Sequence, residues 1–233
     1  MAARNKLQKF AENLSFPNVF ENFDPKSGEL TGLNGSKSVF SGGWNSFYFR
    51  NNNPLILELA CGRGEYSLAL AQSNPDFNYI GVDVKGARIW RGAKNAIDLD
   101  IHNLAFLRTR IENLERFFRP GEVSEIWITF PDPFLKNSKT NRRLTSPVFL
   151  NKYSNILKQG GLIHLKTDSS ELYEFTLEVL NSHNNTDLQY YNDDIYSSPL
   201  LFPELEIKTF YENQHLSEGK KIKYIRFSVN SLK

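Results

Sequence analysis

The chain has 233 residues, a formal net charge of +2 and 40% hydrophobic residues, which is the composition of an ordinary globular protein. Its single cysteine, Cys61, excludes a disulfide framework and a cysteine zinc cluster, and its four histidines lack metal-ligand spacing, so we expect no metal site. No apolar run approaches the roughly 18 residues of a membrane span, and no signal-peptide pattern is present, so we expect a cytoplasmic protein without a membrane partner.

Residues 1–54 are predicted to be an N-terminal arm followed by a loop region. A short helical pattern covers 6–14, and 22–43 is rich in the Gly, Asn and Ser that are typical of loops. The basic residues of the arm are Arg4, Lys6 and Lys9. The arm is either a segment that orders on a partner or a terminus without function. Because 55–233 contains no convincing linker, we predict a single domain there.

A glycine turn joins the first predicted strand, 55–60, to a helical pattern at 65–72. Gly62 and Gly64 permit a tight turn and a close approach of the backbone to a ligand. The place of the third glycine of the dinucleotide fingerprint is taken by Ser67, and the turn lacks Gly-Lys-Ser/Thr, so neither a dinucleotide site nor a phosphate loop is indicated. The pattern acid-x-small-x-Gly-x-Gly, beginning at Glu58, is instead typical of methyltransferases that use S-adenosylmethionine (SAM). Alternatively, Glu58 is a hydrogen-bonded strand carboxylate.

The second predicted strand, 77–82, ends at Asp83. An acid at this position is placed to accept both hydroxyl groups of a ribose, or else caps the helix predicted at 86–99. That helix carries three basic residues on one broad face, Arg88, Arg91 and Lys94. This face is either simply solvated or a phosphate-contacting patch.

A third strand is predicted at 104–107 and a fourth at 123–130, which leads into Pro131-Asp132-Pro133. The two prolines stiffen the backbone and cannot continue the ladder, so Asp132 is presented at the carboxyl end of a strand, where open α/β sheets bind ligands. A basic run without acids follows, at Lys136, Lys139, Arg142 and Arg143. It is either a solvated loop or a surface that holds a polyanion beside the carboxylate.

The fifth predicted strand, 162–166, leads to Asp168, so four strands end near a carboxylate: Glu58, Asp83, Asp132 and Asp168. In alternating β-α order, these strand ends are expected to converge on one edge of a parallel sheet. Helices are predicted at 147–157 and 170–180. The segment 183–198 is predicted as loop, while 204–211 and 222–229 alternate like antiparallel strands. A third basic cluster contains Lys220, Lys221 and Lys223.

Residues 55–229 resemble the bacterial tRNA (guanine-N7)-methyltransferases. The most specific motifs are Phe130-Pro-Asp-Pro-Phe-Leu-Lys136 with Arg142-Arg-Leu144, Leu165-Lys-Thr-Asp168, and Thr209-Phe-Tyr-Glu212. The resemblance implies an α/β, Rossmann-like SAM methyltransferase fold, with a seven-stranded, mostly parallel sheet, helices on both faces and a final antiparallel hairpin. It implies methyl transfer from SAM to N7 of guanine 46 in the tRNA variable loop, by a monomer or homodimer.

The resemblance also implies roles for individual residues. The cofactor would be held by Glu58, Gly62, Gly64, Asp83, Arg110 and Asp132, and Asp132 would be the acid at the reaction centre. The target nucleotide would be contacted by Lys136, Asp168, Thr209 and Glu212. RNA would be bound by Lys139, Arg142 and Arg143.

Two positions depart from the family pattern. Ala60 replaces the first glycine of the turn, which we expect to be tolerated if its φ stays negative. Arg110 stands where the family has an acid near the cofactor's adenine, so a backbone carbonyl near Arg110 or the Glu112 side chain would take that contact. The alternatives are a SAM methyltransferase acting on another RNA or a small molecule, and an RNA-binding relative without activity. The basic run and the Thr209/Glu212 motif argue against a small-molecule acceptor.

Overall fold

The computed structural model describes residues 5–230, which fall into two compact units. The first unit runs through Arg119 and the second begins at Pro120. Arg4 of the predicted arm lies outside the described residues. Within residues 5–230, no helix combines the length and apolar character needed to cross a membrane.

The first unit is a mixed α/β layer. Its helices are α1 (Lys6–Asn13), α2 (Glu65–Ser73) and α3 (Gly86–Asp98). Its strands are β1 (Val19–Glu21), β2 (Leu30–Thr31), β3 (Lys37–Ser38), β4 (Leu55–Leu59), β5 (Asn78–Asp83) and β6 (Leu104–Arg108). Short 3₁₀ segments cover Leu33–Gly35 and Ile111–Arg116, and Trp44–Phe49 forms a π-helical turn.

The strands of the first unit lie in the order β3-β2-β1-β6-β5-β4. The neighbours β4, β5 and β6 are parallel, and β1 is parallel to β6. Every residue of β4 and β5 is buried, as expected for parallel strands covered on two faces. The strands predicted from their apolar runs are therefore confirmed, to within one or two residues.

The N-terminal segment is packed onto this layer. Asn5 closes a capping box with Gln8 at the start of α1, and Glu12 accepts a 2.7 Å hydrogen bond from the Trp90 indole of α3. The region predicted as loop contains β2 and β3, a difference from the sequence-based prediction. An aromatic cluster holds it in place, with Phe20 in edge contact with Phe40, Trp44 and Tyr48.

The second unit contains the remaining elements. Its strands are β7 (Val123–Thr129), β8 (Leu157–Thr167), β9 (Thr186–Asn192) and β10 (Lys223–Val229). Its helices are α4 (Pro147–Ile156), α5 (Ser170–Ser182) and α6 (Phe210–Ser217). Short 3₁₀ segments cover Asn137–Arg142, Ile195–Ser197 and Pro203–Glu206. The order is β7-β8-β10-β9, with β7 and β8 parallel and the other pairs antiparallel.

Two predictions for the second unit are wrong. The segment 204–211 is not a strand, because Pro203 starts a 3₁₀ turn and Thr209 caps α6. The antiparallel partner of β10 is instead β9, within a segment that was predicted to be a loop. The predicted antiparallel pair thus exists with a different first strand, but it is not a hairpin, because α6 and two 3₁₀ segments lie between β9 and β10.

The predicted α/β class is confirmed, but the strand count differs. The described residues form six strands in the first unit and four in the second, against the seven predicted. The three extra strands are β1, β2 and β3, which are only two or three residues long. Such short strands carry too few side chains to show alternation in the sequence.

Candidate active site

Glu58 on β4 supports the turn that follows it. Its Oε2 accepts a 2.9 Å hydrogen bond from the Ser67 backbone N–H and a short one from the Ser67 hydroxyl. The carboxylate is almost completely buried. Glu58 therefore has the role of a hydrogen-bonded strand carboxylate that fixes the first turn of α2, and its contact with a cofactor stays a prediction.

Asp83, at the end of β5, holds the glycine turn from the other side. Its Oδ2 accepts from the Gly62 N–H at 2.9 Å and its Oδ1 from the Lys85 N–H at 2.7 Å. The residue at the N-cap of α3 is Lys85, without a side-chain cap, so Asp83 is not the helix cap considered from the sequence. The turn and this carboxylate form one hydrogen-bonded unit.

The turn is made of left-handed residues. Ala60 has φ +58°, Gly62 +58° and Gly64 +66°. Alanine was expected to be tolerated at position 60 if φ stayed negative, and this condition is not met, so the Ala60 Cβ strains the turn by roughly 1 kcal/mol. A Cβ at Gly64 would collide with the Phe106 ring, whereas the space beside Gly62 is open, with the nearest heavy atom 3.9 Å from the position of a Cβ.

The electrostatic potential around the turn is negative. Burial raises the pKa of the Cys61 thiol well above its usual value, and the charges of Glu58 and Asp83 raise it further. The thiol therefore stays protonated and is a poor nucleophile. The same two charges favour a cationic ligand at this turn.

Thr109 and Arg110 follow β6. The Thr109 N–H donates to the Asp83 carbonyl at 3.2 Å, and its Oγ1 is buried without a hydrogen-bond partner among residues 5–230. Such a group costs free energy unless another donor or acceptor reaches it. Arg110 has extended backbone angles and an exposed side chain. This geometry indicates Thr109 as a ligand-binding residue, and no role had been predicted for it.

In the second unit, Asp132 lies on a strained turn that we call the Asp132 turn, residues 130–134. Phe130 and Phe134 both have left-handed backbones, with φ of +48° and +42°. Asp132 is exposed, and its Oδ1 accepts from the Phe134 N–H at 3.0 Å. The carboxylate is thus both fixed by a local hydrogen bond and open to a ligand.

The basic run after this turn, residues 136–143, divides into two kinds of side chain. Lys136, Lys139 and Arg142 are exposed, and the Arg142 guanidinium lies over the Phe134 ring at 4.8 Å. Arg143 is buried and donates to the Pro133 carbonyl at 3.0 Å and the Phe134 carbonyl at 3.3 Å. Arg143 therefore braces the Asp132 turn, and only the other three are presented to solvent.

Glu212 is buried in an ion pair with Lys166. The Lys166 ammonium is 2.8 Å from Glu212 Oε1 and donates to the Leu205 and Ile207 carbonyls at 2.9 Å. Tyr196 donates to the same carboxylate oxygen at 2.6 Å. The other oxygen, Oε2, is buried and has no hydrogen-bond partner among the described residues. Thr209 accepts the Glu212 N–H at 3.2 Å, so this motif caps α6 and positions Glu212.

Asp168, at the end of β8, is paired with a residue far along the chain. Its Oδ2 is 3.2 Å from the Lys220 ammonium and 3.5 Å from His215 Nδ1. The His215 ring in turn lies 5.9 Å from the Phe130 ring. A basic group thus accompanies Asp168 beside the Asp132 turn.

Comparison with known proteins identifies the family. A family described as "Putative methyltransferase" matches residues 52–225. A protein of Christiangramia forsetii, named tRNA (guanine-N(7)-)-methyltransferase, is 48% identical over 98% of this chain and 100% of its own length. The chain belongs to the tRNA (guanine-N7)-methyltransferase family.

Other relatives agree with this family assignment. A protein of Bacteroides fragilis with the same name is 44% identical over 96% of this chain and 85% of its own length. Among solved structures, the 16S rRNA methyltransferase KamB matches with a TM-score of 0.63 and 15% identity, covering 84% of this chain and 96% of its own. The likeness to KamB shows a shared Rossmann-like methyltransferase fold.

The methyl donor of this methyltransferase family is SAM, and the first unit fits it. The donor set matches the ligand: carboxylates for its positive charges and ribose hydroxyls, an open space at Gly62, and the unpartnered hydroxyl of Thr109. Of the predicted cofactor residues, Gly62 and Asp83 are hydrogen-bonded to each other, while Glu58 holds α2.

Four residues that contact predicted site residues had no predicted role: Thr109, which contacts Asp83 in the first unit, and Lys166, Tyr196 and Lys220, which contact Glu212 or Asp168 in the second. Lys166 was quoted within a motif and Lys220 within a basic cluster, but neither was assigned a contact. The signal for Lys166 was a charged residue in an otherwise apolar strand, which requires a buried counterion. No local pattern pointed to Tyr196 or Thr109.

Proposed function

We propose that this protein transfers the methyl group of SAM to N7 of a guanine in tRNA. The observation that carries the proposal is the 48% identity over almost the whole chain to a protein named for this activity. At finer resolution, we propose that the guanine is at position 46 of the variable loop and that the reaction takes place in the cytoplasm. The exposed carboxylate of Asp132, followed by exposed basic side chains, supports an RNA substrate.

The residues of the glycine turn are proposed to hold the cofactor. When bound, SAM supplies an electrophilic methyl group on a positively charged sulfur. The charges of Glu58 and Asp83, which also raise the pKa of Cys61, favour that positive ligand. Asp83 is proposed to accept hydrogen bonds from the ribose hydroxyls of SAM. The Thr109 hydroxyl and the backbone of the next residue, Arg110, are proposed to make further contacts with the cofactor.

The acceptor atom needs orientation rather than a general base. Guanine N7 has an in-plane lone pair and carries no proton. Asp132 and Asp168 are proposed to accept hydrogen bonds from the guanine N1–H and exocyclic amine, which become more acidic as the ring gains positive charge. These contacts therefore strengthen as the reaction proceeds. They also exclude adenine, which has no proton on N1.

Thr209 and Glu212 are proposed to act together at the target nucleotide. Glu212 Oε1 is used by Lys166 and Tyr196, so the unpartnered Oε2 is the atom available to a nucleotide. Thr209 contributes by capping α6 and fixing Glu212. Lys136 is proposed to contact the nucleotide from the exposed side of the Asp132 turn.

RNA is proposed to bind along the basic run. Lys139 and Arg142 are exposed and can approach phosphates. This attraction weakens as the salt concentration rises, because the release of counterions from the RNA then gains less free energy. Arg143, which sequence analysis grouped with them, is proposed to act indirectly, through the carbonyls of the Asp132 turn.

The test is methyl transfer from labelled SAM to an unmodified tRNA transcript, beside a transcript with adenine at the target position. Borohydride-aniline treatment cleaves RNA at N7-methylguanine and reads the site. We expect label and one cleavage with guanine and neither with adenine. Label without cleavage would move the activity to another atom, and cofactor binding without label would favour an inactive RNA-binding relative.

A pair of variants tests the role of Asp132. Asp132→Asn should lower turnover much more than SAM affinity, because the exposed carboxylate is proposed to touch the acceptor. Asp76→Asn, at an exposed position between α2 and β5, is the matched control. An equal loss of turnover and SAM affinity in Asp132→Asn would make Asp132 a cofactor ligand instead.

A further inference from the structure

Lys220 is the centre of a charged cluster around Asp168, which we call the Lys220 cluster: Asp168, His215, Glu218 and Lys220. The Lys220 ammonium lies 3.2 Å from Asp168 Oδ2, 3.1 Å from His215 Nδ1 and 3.2 Å from Glu218 Oε2. An ammonium has three N–H donors, and here each faces one acceptor. The cluster joins the end of β8 to the loop after α6.

The histidine of the cluster is an acceptor. His215 Nδ1 lies 3.1 Å from the ammonium and 3.5 Å from Asp168 Oδ2. Since Lys220 can only donate, Nδ1 accepts from it and does not donate to Asp168 at the same time. Hydrogen bonds to Asp168 and Glu218 raise the pKa of Lys220, so the ammonium stays charged.

The pair Lys220–Asp168 presents a donor followed by acceptors, which is the order complementary to a guanine edge. Guanine presents O6, N1–H and the exocyclic amine in sequence, that is, one acceptor and then two donors. Because N1–H is the middle group of this edge, a carboxylate oxygen that accepts from N1–H lies next to O6. The Lys220 ammonium and His215 Nδ1 both lie nearest Oδ2 of Asp168, and Oδ1 has neither of these neighbours. A guanine on Asp168 with N1–H at Oδ2 would place O6 within reach of Lys220.

We propose that Lys220 is a specificity-determining residue that donates a hydrogen bond to O6 of the target guanine, next to Asp168. The proposal rests on the proposed function and deepens it by assigning the third group of the guanine edge. Lys220 is 52 positions from Asp168, and its neighbour Lys221 belongs to a different ion pair, with Asp194 at 3.6 Å.

Guanine O6 has to replace one of the three existing contacts of the Lys220 ammonium. The Glu218 side chain is 43% exposed, so water replaces it on the ammonium at little cost. The Asp168 side chain is 22% exposed and His215 19%, and these two keep Lys220 in position. Lys220 therefore exchanges Glu218 for the guanine without leaving Asp168.

The pair rejects adenine at two atoms. Adenine places an amine where guanine has O6, so a donor would face the ammonium. It also places the N1 lone pair where guanine has a proton, so an acceptor would face Oδ2. Two donors or two acceptors that face each other reject a substrate more strongly than the loss of a contact alone.

The experiment compares two lysine variants on two substrates. Lys220→Met and Lys221→Met each remove one positive charge, but only the first removes the proposed O6 donor. The substrates are tRNA transcripts with guanine or 6-thioguanine at the target position, since sulfur accepts hydrogen bonds more weakly than oxygen. SAM affinity of each variant reports that the fold is intact.

We expect Lys220→Met to lower kcat/KM on the guanine transcript by roughly 10- to 100-fold, the range for a hydrogen bond to a charged group. Lys221→Met should change it little. Wild type should be less active on the 6-thioguanine transcript than on the guanine transcript. Lys220→Met should have nearly the same activity on both transcripts, because the partner of O6 is already absent.

Two results overturn the inference while leaving the proposed function intact: equal effects of the two lysine variants, or the same penalty for 6-thioguanine in wild type and Lys220→Met. Wild type without transfer to the guanine transcript would overturn the proposed function, and this inference with it.

Discussion

Lys166 and Glu212 form an ion pair of 2.8 Å in which neither side chain is exposed to solvent. Burial lowers the pKa of Lys166, against the opposing effect of the Glu212 charge. A buried pair of this kind contributes little net stability, but removing one partner leaves the other charge uncompensated. The pair thus ties β8 to α6 and makes both elements sensitive to either residue.

The first prediction concerns this pair. Glu212→Gln should destabilise the protein by about 3 kcal/mol, because the Lys166 ammonium stays buried without a counterion. Urea unfolding measures the loss, and Glu174→Gln, at an exposed position of α5, is the control. Adding Lys166→Met to Glu212→Gln should recover part of the stability. A double variant less stable than Glu212→Gln would contradict the argument.

Thr109→Val tests the unpartnered hydroxyl after β6. Valine keeps the shape but removes an oxygen that has no protein partner in residues 5–230, so stability should be unchanged or slightly higher. SAM affinity should fall about 5- to 10-fold if the hydroxyl contacts the cofactor. Isothermal titration with SAM and urea unfolding measure the two effects.

Thr176→Val is the matched control for this experiment. The Thr176 hydroxyl is hydrogen-bonded to Thr145 and to the Leu172 carbonyl, so this variant should lose about 1 kcal/mol of stability with unchanged SAM affinity. Unchanged SAM affinity in both variants would remove Thr109 from the cofactor site.

Arg142 and Arg143 are adjacent, but replacing each by alanine is predicted to have a different effect. Arg142→Ala should weaken tRNA binding and reduce the slope of log affinity against log salt by about 1, because an exposed phosphate contact is lost. Arg143→Ala should instead lower stability, since two carbonyls of the Asp132 turn lose their donor. Filter binding over a salt series and urea unfolding separate the two. A changed salt slope with unchanged stability in Arg143→Ala would place Arg143 on the RNA surface.

His164 predicts a pH dependence of stability. It stacks on Trp127 at 4.1 Å and lies 3.3 Å from Glu125, and burial lowers its pKa despite that carboxylate. The unfolded chain therefore binds the proton first as pH falls, and stability decreases below about pH 6.5 until the lower folded pKa is reached.

The test uses two histidine variants. His164→Gln should remove this part of the decline, measured as urea midpoints from about pH 7.5 to about pH 5. His102→Gln, at a side chain that is 85% exposed, is the control and should keep the wild-type profile. The explanation fails if His164→Gln and wild type decline in parallel.

The sequence predicted the elements whose burial is uniform and missed those whose burial is not. The apolar runs of β4 and β5 and the glycine turn between β4 and α2 are read directly from the residues. β9 was missed because its residues are mostly exposed, so Leu188 and Tyr191 show no alternation with a core. The alternation at 204–211 had another cause, since Thr209 is a helix cap.

The candidate site divides in the same way. Carboxylates at strand ends follow from β-α order, so Asp83, Asp132 and Asp168 were found. Contacts that join distant segments were not, because Lys220 and Asp168 are 52 positions apart and nothing local to either residue pairs them. Arg143 was grouped with Arg142 for its charge, although a buried guanidinium has a different role from an exposed one.

The left-handed residues Ala60, Phe130 and Phe134 set a trade-off between stability and activity. Each keeps a loop in a conformation about 1 kcal/mol or more above its relaxed state. Ala60→Gly is expected to remove the backbone strain in the turn, so Ala60 is a suitable first position to change in a thermostabilised variant. At Phe130 and Phe134, relaxing the backbone moves the carboxylate between them. Selection for thermal tolerance is therefore expected to accept change at Ala60 and to resist it around Asp132.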